Sequence, residues 1–275
     1  MKLKKISLLF SIDDRFTSQL KTTLYSIVEN NPDCSFDVYV LQKNKLEDTE
    51  KLKKFCSQLQ IIYHPIIIGE EIFKEAPVSE RYPETIYYRL LAHEYLPESL
   101  DKILYVDADI LCINQVEHLF SMDMNDYLYA ASSHFQLIKV NTAINKVRLK
   151  SYDSEAYFNS GVLLMNLTKI RKEVKRDDIF QFISENRFTL ILPDQDVLNA
   201  LYGSRILLIP DQIYNYDTRY HPIYEVISKG KWDLDWTLDH TVFLHFCGKD
   251  KPWQDNYRGR FAALYKHYQR RSARI

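Results

Sequence analysis

The first third of the chain alternates short, continuous apolar runs with stretches in which apolar residues recur at helical spacing. The stretch 17–29 carries apolar residues three and four positions apart and is closed by Pro32, so it predicts a helix. The whole pattern predicts strands at 6–10, 36–41 and 61–64 and helices at 17–29 and 46–59. Strands and helices that alternate at this spacing are joined by right-handed crossovers, which favour a mainly parallel sheet. We therefore expect the carboxyl ends of the strands to gather at one edge of a sheet that is flanked by helices.

The remaining pattern continues the alternation, with one long interruption. We predict a strand that starts at 102 and ends in the carboxylates at 107 and 109, and a buried strand that follows a polar, small-residue entry within 157–166. Further strands are predicted at 127–132, 205–210 and 241–247. We predict helices at 83–96 and 170–188, and a helix that starts near 193, where Asp194 is a candidate N-cap. The stretch 136–152 is polar and has no clear period. Its length is typical of a lid or a specificity loop.

Two carboxylates close the apolar strand that starts at 102. Side chains alternate along an extended chain, so Asp107 and Asp109 point the same way, and hard divalent cations take such oxygen ligands. The Asp-x-Asp pattern alone is weak, because it recurs at 194–196 and 233–235 and because aspartate also closes strands into turns. Only the first copy follows a continuous apolar run, and ligands bind beyond the carboxyl ends of parallel strands. The position of Asp107 and Asp109 therefore predicts a metal site that binds a phosphate group. The alternative is that the two aspartates only lead the strand into a turn.

A second candidate for phosphate chemistry follows the last predicted strand. His245, Gly248 and Lys251 precede Pro252, and together they offer an imidazole, a close backbone approach and a positive charge. A lone histidine at a strand end is more often structural than a ligand. Imidazole beside carboxylates would favour manganese over magnesium or calcium.

Composition narrows the classes of protein that these elements fit. A chain of 275 residues with 46% hydrophobic residues can bury the core of one large domain or two small ones. A formal net charge of −1 disfavours a nucleic-acid partner, and six glycines leave no Gly-rich phosphate loop. The four cysteines form no Cys-x-x-Cys pair, and the apolar run at 6–10 stops before any cleavage site. We expect a cytoplasmic protein with free thiols.

Four motifs, taken in order, resemble glycosyltransferase family 8, the retaining sugar-nucleotide transferases that include bacterial lipopolysaccharide galactosyl- and glucosyltransferases. They lie at 104–109, 158–162, 194–196 and 245–253, and the resemblance spans roughly 6–253. It implies a nucleotide-diphospho-sugar transferase fold of the GT-A type, an α/β fold whose mainly parallel central sheet is flanked by helices. It also implies transfer of glucose or galactose from UDP-glucose or UDP-galactose to a glycan or lipid-linked saccharide.

The resemblance also assigns roles to individual residues. It implies that Asp107, Asp109 and His245 hold Mn²⁺, and that Gln195 and Asp194 are the catalytic pair, with Gln195 beneath the anomeric carbon. The residues that it implies for donor binding are Asp13, Phe16, Arg89, Asp107, Ala108, Asn159, Gly248 and Lys251. Asp13 would contact the nucleobase and Phe16 would stack on it. Arg15 and Phe16 depart from the polar amide and tyrosine of many relatives, so uracil recognition is the weaker expectation.

Two other classes of protein stay open on the sequence alone. A metal-dependent sugar nucleotidyltransferase also holds a nucleotide with two aspartates, although it normally carries a Gly-rich or basic loop after the first strand, where this chain has Asp13 and Asp14. A non-catalytic nucleotide-sugar-binding protein keeps the fold without the chemistry. Intact Asp107, Asp109 and His245 disfavour that second alternative.

The end of the chain has a different character from the rest. We divide the chain into a glycosyltransferase domain at 1–256 and a basic, amphipathic C-terminal helix or tail at 257–275. One face of that helix is aromatic and the other carries arginine and lysine. Such a helix either binds anionic lipid at the inner face of a membrane or packs its apolar face on the domain.

Overall fold

The computed structural model describes residues 3–69, 72–73, 76–80, 82–134, 149 and 156–275. Their strands are β1 Lys4–Ser11, β2 Cys34–Gln42, β3 Ile62–Ile67, β4 Lys102–Val106, β5 Ile110–Cys112, β6 Tyr129–Ser132, β7 Val162–Asn166, β8 Ile206–Ile209, β9 Tyr216–Asp217 and β10 Phe243–His245. Their α-helices are α1 Thr17–Glu29, α2 Thr49–Gln58, α3 Glu117–Phe120, α4 Leu167–Glu173, α5 Arg176–Asn186, α6 Pro193–Tyr202, α7 Asp211–Tyr214, α8 His221–Ile227, α9 Leu234–His240 and α10 Ala262–Ser272. The segment predicted as a helix at 83–96 is a 3-10 helix over Glu84–Glu94.

The central sheet has seven strands within the described residues, in the order β3-β2-β1-β4-β7-β6-β8. Strands β3, β2, β1 and β4 run parallel, β7 pairs antiparallel with both β4 and β6, and β6 pairs parallel with β8. The predicted mainly parallel α/β sheet is therefore confirmed.

Strand β1 shows why the sheet is buried on both faces. Its residues alternate between the two cores, with Leu8 and Phe10 in one apolar cluster and Leu9 in the other. A strand that is covered on both sides is expected to be continuously apolar, which is the pattern at 6–10. Helix α1 covers one face with Leu20 and Leu24, which are both fully buried.

A small second sheet, in the order β5-β10-β9, lies at the end of β4. The chain leaves β4 at Val106 and turns through 107–109, so the strand ends at the two carboxylates as predicted. It then enters β5, a strand that the sequence pattern did not separate from β4. Strand β10 pairs antiparallel with β5, which places His245 opposite Ile110. This pairing brings a residue from the end of the chain beside the acidic turn.

Two other local predictions were wrong. The single helix expected at 170–188 is interrupted, because Val174 and Lys175 have extended backbone between α4 and α5, and Val174 is buried. Asp194 is not the N-cap of α6: Leu192 holds that position, and Pro193 begins the helix. The lid predicted at 136–152 lies outside the described residues except for Leu149.

The C-terminal helix α10 packs on α1. Arg271 forms an ion pair with Glu29 at 2.7 Å, and the Tyr268 hydroxyl accepts a hydrogen bond from Asn30 Nδ2 at 2.9 Å. Tyr265 of this helix and Phe261, which precedes it, are both buried. The apolar face of this helix is thus occupied by the rest of the protein. Among the described residues, no helix is long and apolar enough to cross a bilayer.

Candidate functional site

A cleft of about 980 Å³ opens where β1 and β4 end and where the small sheet meets the large one. Every residue that the sequence predicted for donor, metal or catalytic roles lines this cleft: Asp13, Phe16, Arg89, Asp107, Ala108, Asp109, Asn159, Asp194, Gln195, His245, Gly248 and Lys251. They come from six separate parts of the chain. The fold therefore brings all the predicted site residues together in this one cleft.

Asp107, Asp109 and His245 form a compact group, in which one ligand atom from each residue lies within 4.8 Å of the others. The turn after β4 supplies the two carboxylates, and β10 supplies the imidazole. Two carboxylates and an imidazole are a donor set that Mn²⁺ and similar divalent cations accept. The residues present thus fit a divalent metal.

Asp109 is surrounded by positive groups. Its Oδ1 lies 3.3 Å from His245 Nε2, and its Oδ2 pairs with Lys251 Nζ. Burial raises the pKa of Asp109, but Lys251 and His245 more than reverse this effect, so the net pKa is well below its usual range. Lys251 Nζ also donates to the carbonyl oxygen of Phe246 at 2.8 Å. Asp109 is therefore ionised and held in place.

Arg89 is the buried cation of the cleft, with 5% of its surface exposed. Its Nη1 lies 3.0 Å from Asp107 Oδ1, and its Nε lies 3.3 Å from Asp194 Oδ2. The guanidinium also lies 4.3 Å from the centre of the Tyr105 ring. Burial lowers the pKa of Arg89, but the adjacent carboxylates raise that pKa by more, so Arg89 stays protonated. Arg89 thus ties the metal-site aspartate to the α6 aspartate.

Asp194 and Asp196 diverge at the start of α6. Asp194 Oδ2 accepts from Ser160 Oγ at 2.9 Å and faces Arg89, whereas Asp196 accepts from the Tyr157 hydroxyl and from the backbone N–H of Ile191. Burial raises the pKa of Asp194, and Asp107 adds to this while Arg89 opposes it. Of these two aspartates, Asp194 lines the cleft. Asp196 anchors the helix start.

Among the described residues, Gln195 and Asn159 are the two amide side chains of the cleft, and we call them the floor of the cleft. Gln195 Oε1 accepts from Asn159 Nδ2 at 3.2 Å and from the Ser160 N–H at 3.3 Å. Asn159 Oδ1 accepts from the Gly161 N–H at 2.9 Å. Backbone donors of the segment before β7 therefore set the orientation of both amide side chains.

The far end of the cleft holds the residues that the sequence assigned to the nucleobase. Both carboxylate oxygens of Asp13 accept from Arg15, whose Nη1 donates to the carbonyl oxygen of Glu80 at 2.9 Å. Phe16 meets Trp253 edge-on, with ring centres 6.1 Å apart. Arg15 thus occupies the carboxylate on which the nucleobase contact was predicted to rest.

Two glycines allow a close approach of the backbone to the site. A Cβ atom on Gly161 would lie 2.4 Å from His245 Cε1 and 2.9 Å from Asp107 Oδ2. Gly248 has a φ of +90°, which other residues rarely adopt, and a Cβ there would lie 2.9 Å from Arg219 Nη1. The close approach of the Gly248 backbone to a phosphate stays a prediction. The need for glycine at 161 follows only from the folded structure.

Sequence reasoning missed three polar residues that support the site. The Tyr105 hydroxyl donates to Asp107 Oδ1 at 2.6 Å, and because Tyr105 precedes Asp107 by two residues, strand alternation could have indicated it. Ser160 lies in the stretch of small and polar residues before β7, and that stretch could have indicated it as a site residue. Asn215 bonds to His245 and Asn159, but nothing in its local sequence signals this role.

Comparisons with known proteins show the family to which this sequence belongs. The sequence model of glycosyl transferase family 8 matches residues 7–257. Lipopolysaccharide 1,2-glucosyltransferase of Escherichia coli is 29% identical over 255 residues, which cover 90% of this chain and 72% of that protein. Lipopolysaccharide 1,3-galactosyltransferase of Salmonella typhimurium is 23% identical over 258 residues, which cover 90% of this chain and 73% of that protein.

A solved structure shares the fold. The galactosyltransferase LgtC, crystallised with donor and acceptor sugar analogs, superposes with a TM-score of 0.81 at 23% identity, over 97% of this chain and 96% of the other. At this level of identity the superposition shows the fold. The family match covers nearly the whole chain, including both segments that form the acidic and imidazole parts of the cleft. The chain therefore belongs to glycosyl transferase family 8.

Proposed function

We propose that this protein is a retaining hexosyltransferase, which moves glucose or galactose from a UDP-sugar to a glycan or lipid-linked saccharide with the help of Mn²⁺. The observation that carries the proposal is the convergence of Asp107, Asp109 and His245 within 4.8 Å, in the same cleft as Arg89 and Lys251. The names of the two lipopolysaccharide relatives support glucose or galactose as the sugar.

The metal would be held by Asp107, Asp109 and His245. When bound, a divalent ion neutralises charge on the diphosphate leaving group. Lys251 lies beside Asp109 and is 16% exposed in its side chain, so it is placed to add a point charge to a phosphate. Burial lowers the pKa of Lys251, but Asp109 raises it more, so the lysine is protonated at neutral pH.

The donor sugar would lie over Asn159 and Gln195, between the metal group and α6. Arg89 forms ion pairs with both Asp194 and Asp107, and Ser160 donates a hydrogen bond to Asp194. These contacts hold the carboxylates of Asp194 and Asp107 in fixed positions beside the floor. They favour a rigid site, in which a hexose is bound in one orientation.

The family resemblance implies retention, and the residues beneath the sugar disfavour a route to retention through a covalent intermediate on the protein. Two displacement steps need a free carboxylate beneath the sugar. Gln195 is an amide and a poor nucleophile, and the carboxylate of Asp194 is engaged by Ser160 and Arg89. We therefore propose transfer on one face of the sugar. The leaving diphosphate would accept the proton of the acceptor hydroxyl, and the carbonyl oxygen of Gln195 would stabilise positive charge at the anomeric carbon.

We also propose that the protein works in the cytoplasm, at the inner face of a membrane. The four cysteines, all within the described part of the chain, are free, which fits a reducing compartment. Arg258, Arg260, Arg270 and Arg274 are exposed at the C-terminus, while the apolar face of α10 is packed on α1. Membrane contact would then be electrostatic and would not require insertion of the helix.

A turnover assay tests the proposed activity. Purified protein is incubated with UDP-glucose or UDP-galactose and Mn²⁺, and released UDP and free sugar are measured with and without excess chelator. We expect slow, metal-dependent release of UDP and sugar even without an acceptor. Release of pyrophosphate would instead indicate a nucleotidyltransferase. Binding of the UDP-sugar without any turnover in a screen of glycan acceptors would indicate a non-catalytic binding protein.

A further inference from the structure

A chain of hydrogen bonds connects the proposed metal ligand His245 to the proposed sugar floor, and its central member is Asn215. Asn215 is fully buried, precedes β9 and does not line the cleft. Its Oδ1 lies 2.8 Å from His245 Nδ1, and its Nδ2 donates to Asn159 Oδ1 at 2.9 Å. One amide therefore bonds to both halves of the site.

The direction of each bond in this chain is fixed by a backbone donor. The Gly161 N–H can only donate, so the atom of Asn159 that it meets at 2.9 Å must be the oxygen. Gly161 itself is held by its carbonyl oxygen, which accepts from the Asp107 N–H at 2.8 Å. Asn215 must then direct its NH₂ group at Asn159 and its oxygen at His245.

It follows that His245 Nδ1 carries a proton, because the Asn215 oxygen can only accept. A neutral imidazole with its proton on Nδ1 has its lone pair on Nε2. Nε2 is the nitrogen that faces Asp109, at 3.3 Å from Oδ1. In the ion pair with Asp109, Nε2 also carries a proton, and a metal at this position would take the place of that proton. The hydrogen-bond chain keeps the proton on Nδ1, so the tautomer left is the one that can ligate a metal beside the two aspartates.

The backbone of Asn215 is also fixed at both ends. Its N–H donates to the carbonyl oxygen of Asp211 at 3.0 Å, and its carbonyl oxygen lies 2.8 Å from His134 Nε2. A flip of the amide would place an oxygen against Asn159 Oδ1 and an NH₂ against the protonated Nδ1 of His245. The buried environment penalises both contacts, because neither group could reach water.

We propose that Asn215 is a positioning residue, which fixes the tautomer and ring orientation of His245 for metal binding and links the ring to Asn159. The inference rests on the proposed function, because it concerns the same metal site. Partners that orient a ligating histidine in this way contribute about 10- to 100-fold to metal affinity. Asn215 does not line the cleft, so it would not touch substrate.

Titration calorimetry with Mn²⁺ in the presence of UDP tests this role. We expect Asn215→Leu to raise the Mn²⁺ Kd by about 10- to 100-fold. Asn215→Asp keeps an oxygen acceptor for Nδ1–H and should stay closer to the parent. The matched control is Asn31→Leu, since Asn31 is also a buried, hydrogen-bonded asparagine but lies outside the cleft. Its Mn²⁺ affinity should equal that of the parent.

A double-mutant cycle separates positioning from a general structural effect. In a His245→Ala background, Asn215→Leu should cause no further loss of Mn²⁺ affinity, because its effect acts through the imidazole. An equal further loss in that background would overturn the proposal, as would parent-like affinity of Asn215→Leu. Failure of the parent itself to bind Mn²⁺ would instead refute the metal in the proposed function.

A spectroscopic measurement needs no folded Asn215 variant. In protein labelled with ¹⁵N-histidine and saturated with UDP and diamagnetic Zn²⁺, which accepts imidazole ligands, the His245 ring should show a protonated Nδ1 and an unprotonated Nε2. The resonances are assigned by their loss in His245→Ala. A proton on Nε2 in the metal-bound protein would overturn the inference.

Discussion

Gly161→Ala is the substitution whose consequence follows most directly from the geometry. The added methyl group would lie 2.4 Å from His245 Cε1, 2.9 Å from Asp107 Oδ2 and 3.0 Å from Asn159 Oδ1. Ordinary contacts of this kind begin at 3.4 Å, so the imidazole must retreat by about 1.0 Å, the difference between these two distances. The ring is buried and paired on both nitrogens, so it has little room to do so.

That displacement predicts a large functional effect and a modest structural one. A misplacement of about 1 Å in a reacting group costs on the order of 10²-fold in rate. Overpacking a well-packed site destabilises a protein by about 1–3 kcal/mol. We therefore expect Gly161→Ala to remain folded, to bind Mn²⁺ more weakly and to lose about 10²-fold of its UDP-sugar turnover.

The control is the same substitution elsewhere. Gly230 has a φ of +81° and no atom within 4 Å of an added Cβ, so Gly230→Ala strains the backbone without touching the cleft. Thermal unfolding measures the stability of both variants, and calorimetry measures their Mn²⁺ affinity. If Gly161→Ala bound Mn²⁺ and turned over UDP-sugar as the parent does, the proposed arrangement of His245 and Asp107 would be refuted.

Three further predictions address catalysis, pH and membrane contact. Gln195→Ala should slow transfer without abolishing it, whereas Asp107→Asn should cost at least about 10²-fold in kcat, and equal losses would argue against the proposed roles. Burial lowers the pKa of His93, so unfolding free energy should fall as the pH drops below the unfolded-state pKa of about 6.5, by up to about 1.4 kcal/mol per pH unit. Denaturation of His93→Gln between pH 7.5 and 5.5 should give a smaller slope, and an unchanged slope would exclude His93 as the cause. Binding to anionic vesicles should weaken with salt and by about 2 kcal/mol in Arg270→Gln/Arg274→Gln, and salt-independent binding would contradict an electrostatic contact.

The sequence predicted most of the central sheet because each of its strands is a local signal. A strand that is covered on both faces must be continuously apolar, and the run at 6–10 could be found without knowing its neighbours. The helix at 170–188 was predicted wrongly for the same reason. Its periodicity is local, whereas the break at Val174 comes from burial of that side chain in the core.

The site residues that directly follow a strand could be predicted from the sequence. The residues that join the site through contacts between distant parts of the chain could not. Asp107 and Asp109 could be found because they close an apolar run. The pairing of Asp109 with His245 depends on β5 meeting β10, and Asn215 joins the group only through the fold. Arg15 shows the converse case: the sequence marked it as a departure from the family, but only the structure shows it on the Asp13 carboxylate.

The anomeric configuration of the first-formed product tests the central proposal most directly. The protein is incubated with Mn²⁺ and α-configured UDP-glucose or UDP-galactose, and proton NMR is recorded before the product can equilibrate. The family resemblance implies retention, so we expect an α-configured product, and the amide of Gln195 and the engaged carboxylate of Asp194 lead us to expect it without a covalent intermediate on the protein. A β-configured product would mean inversion and would contradict the proposed mechanism.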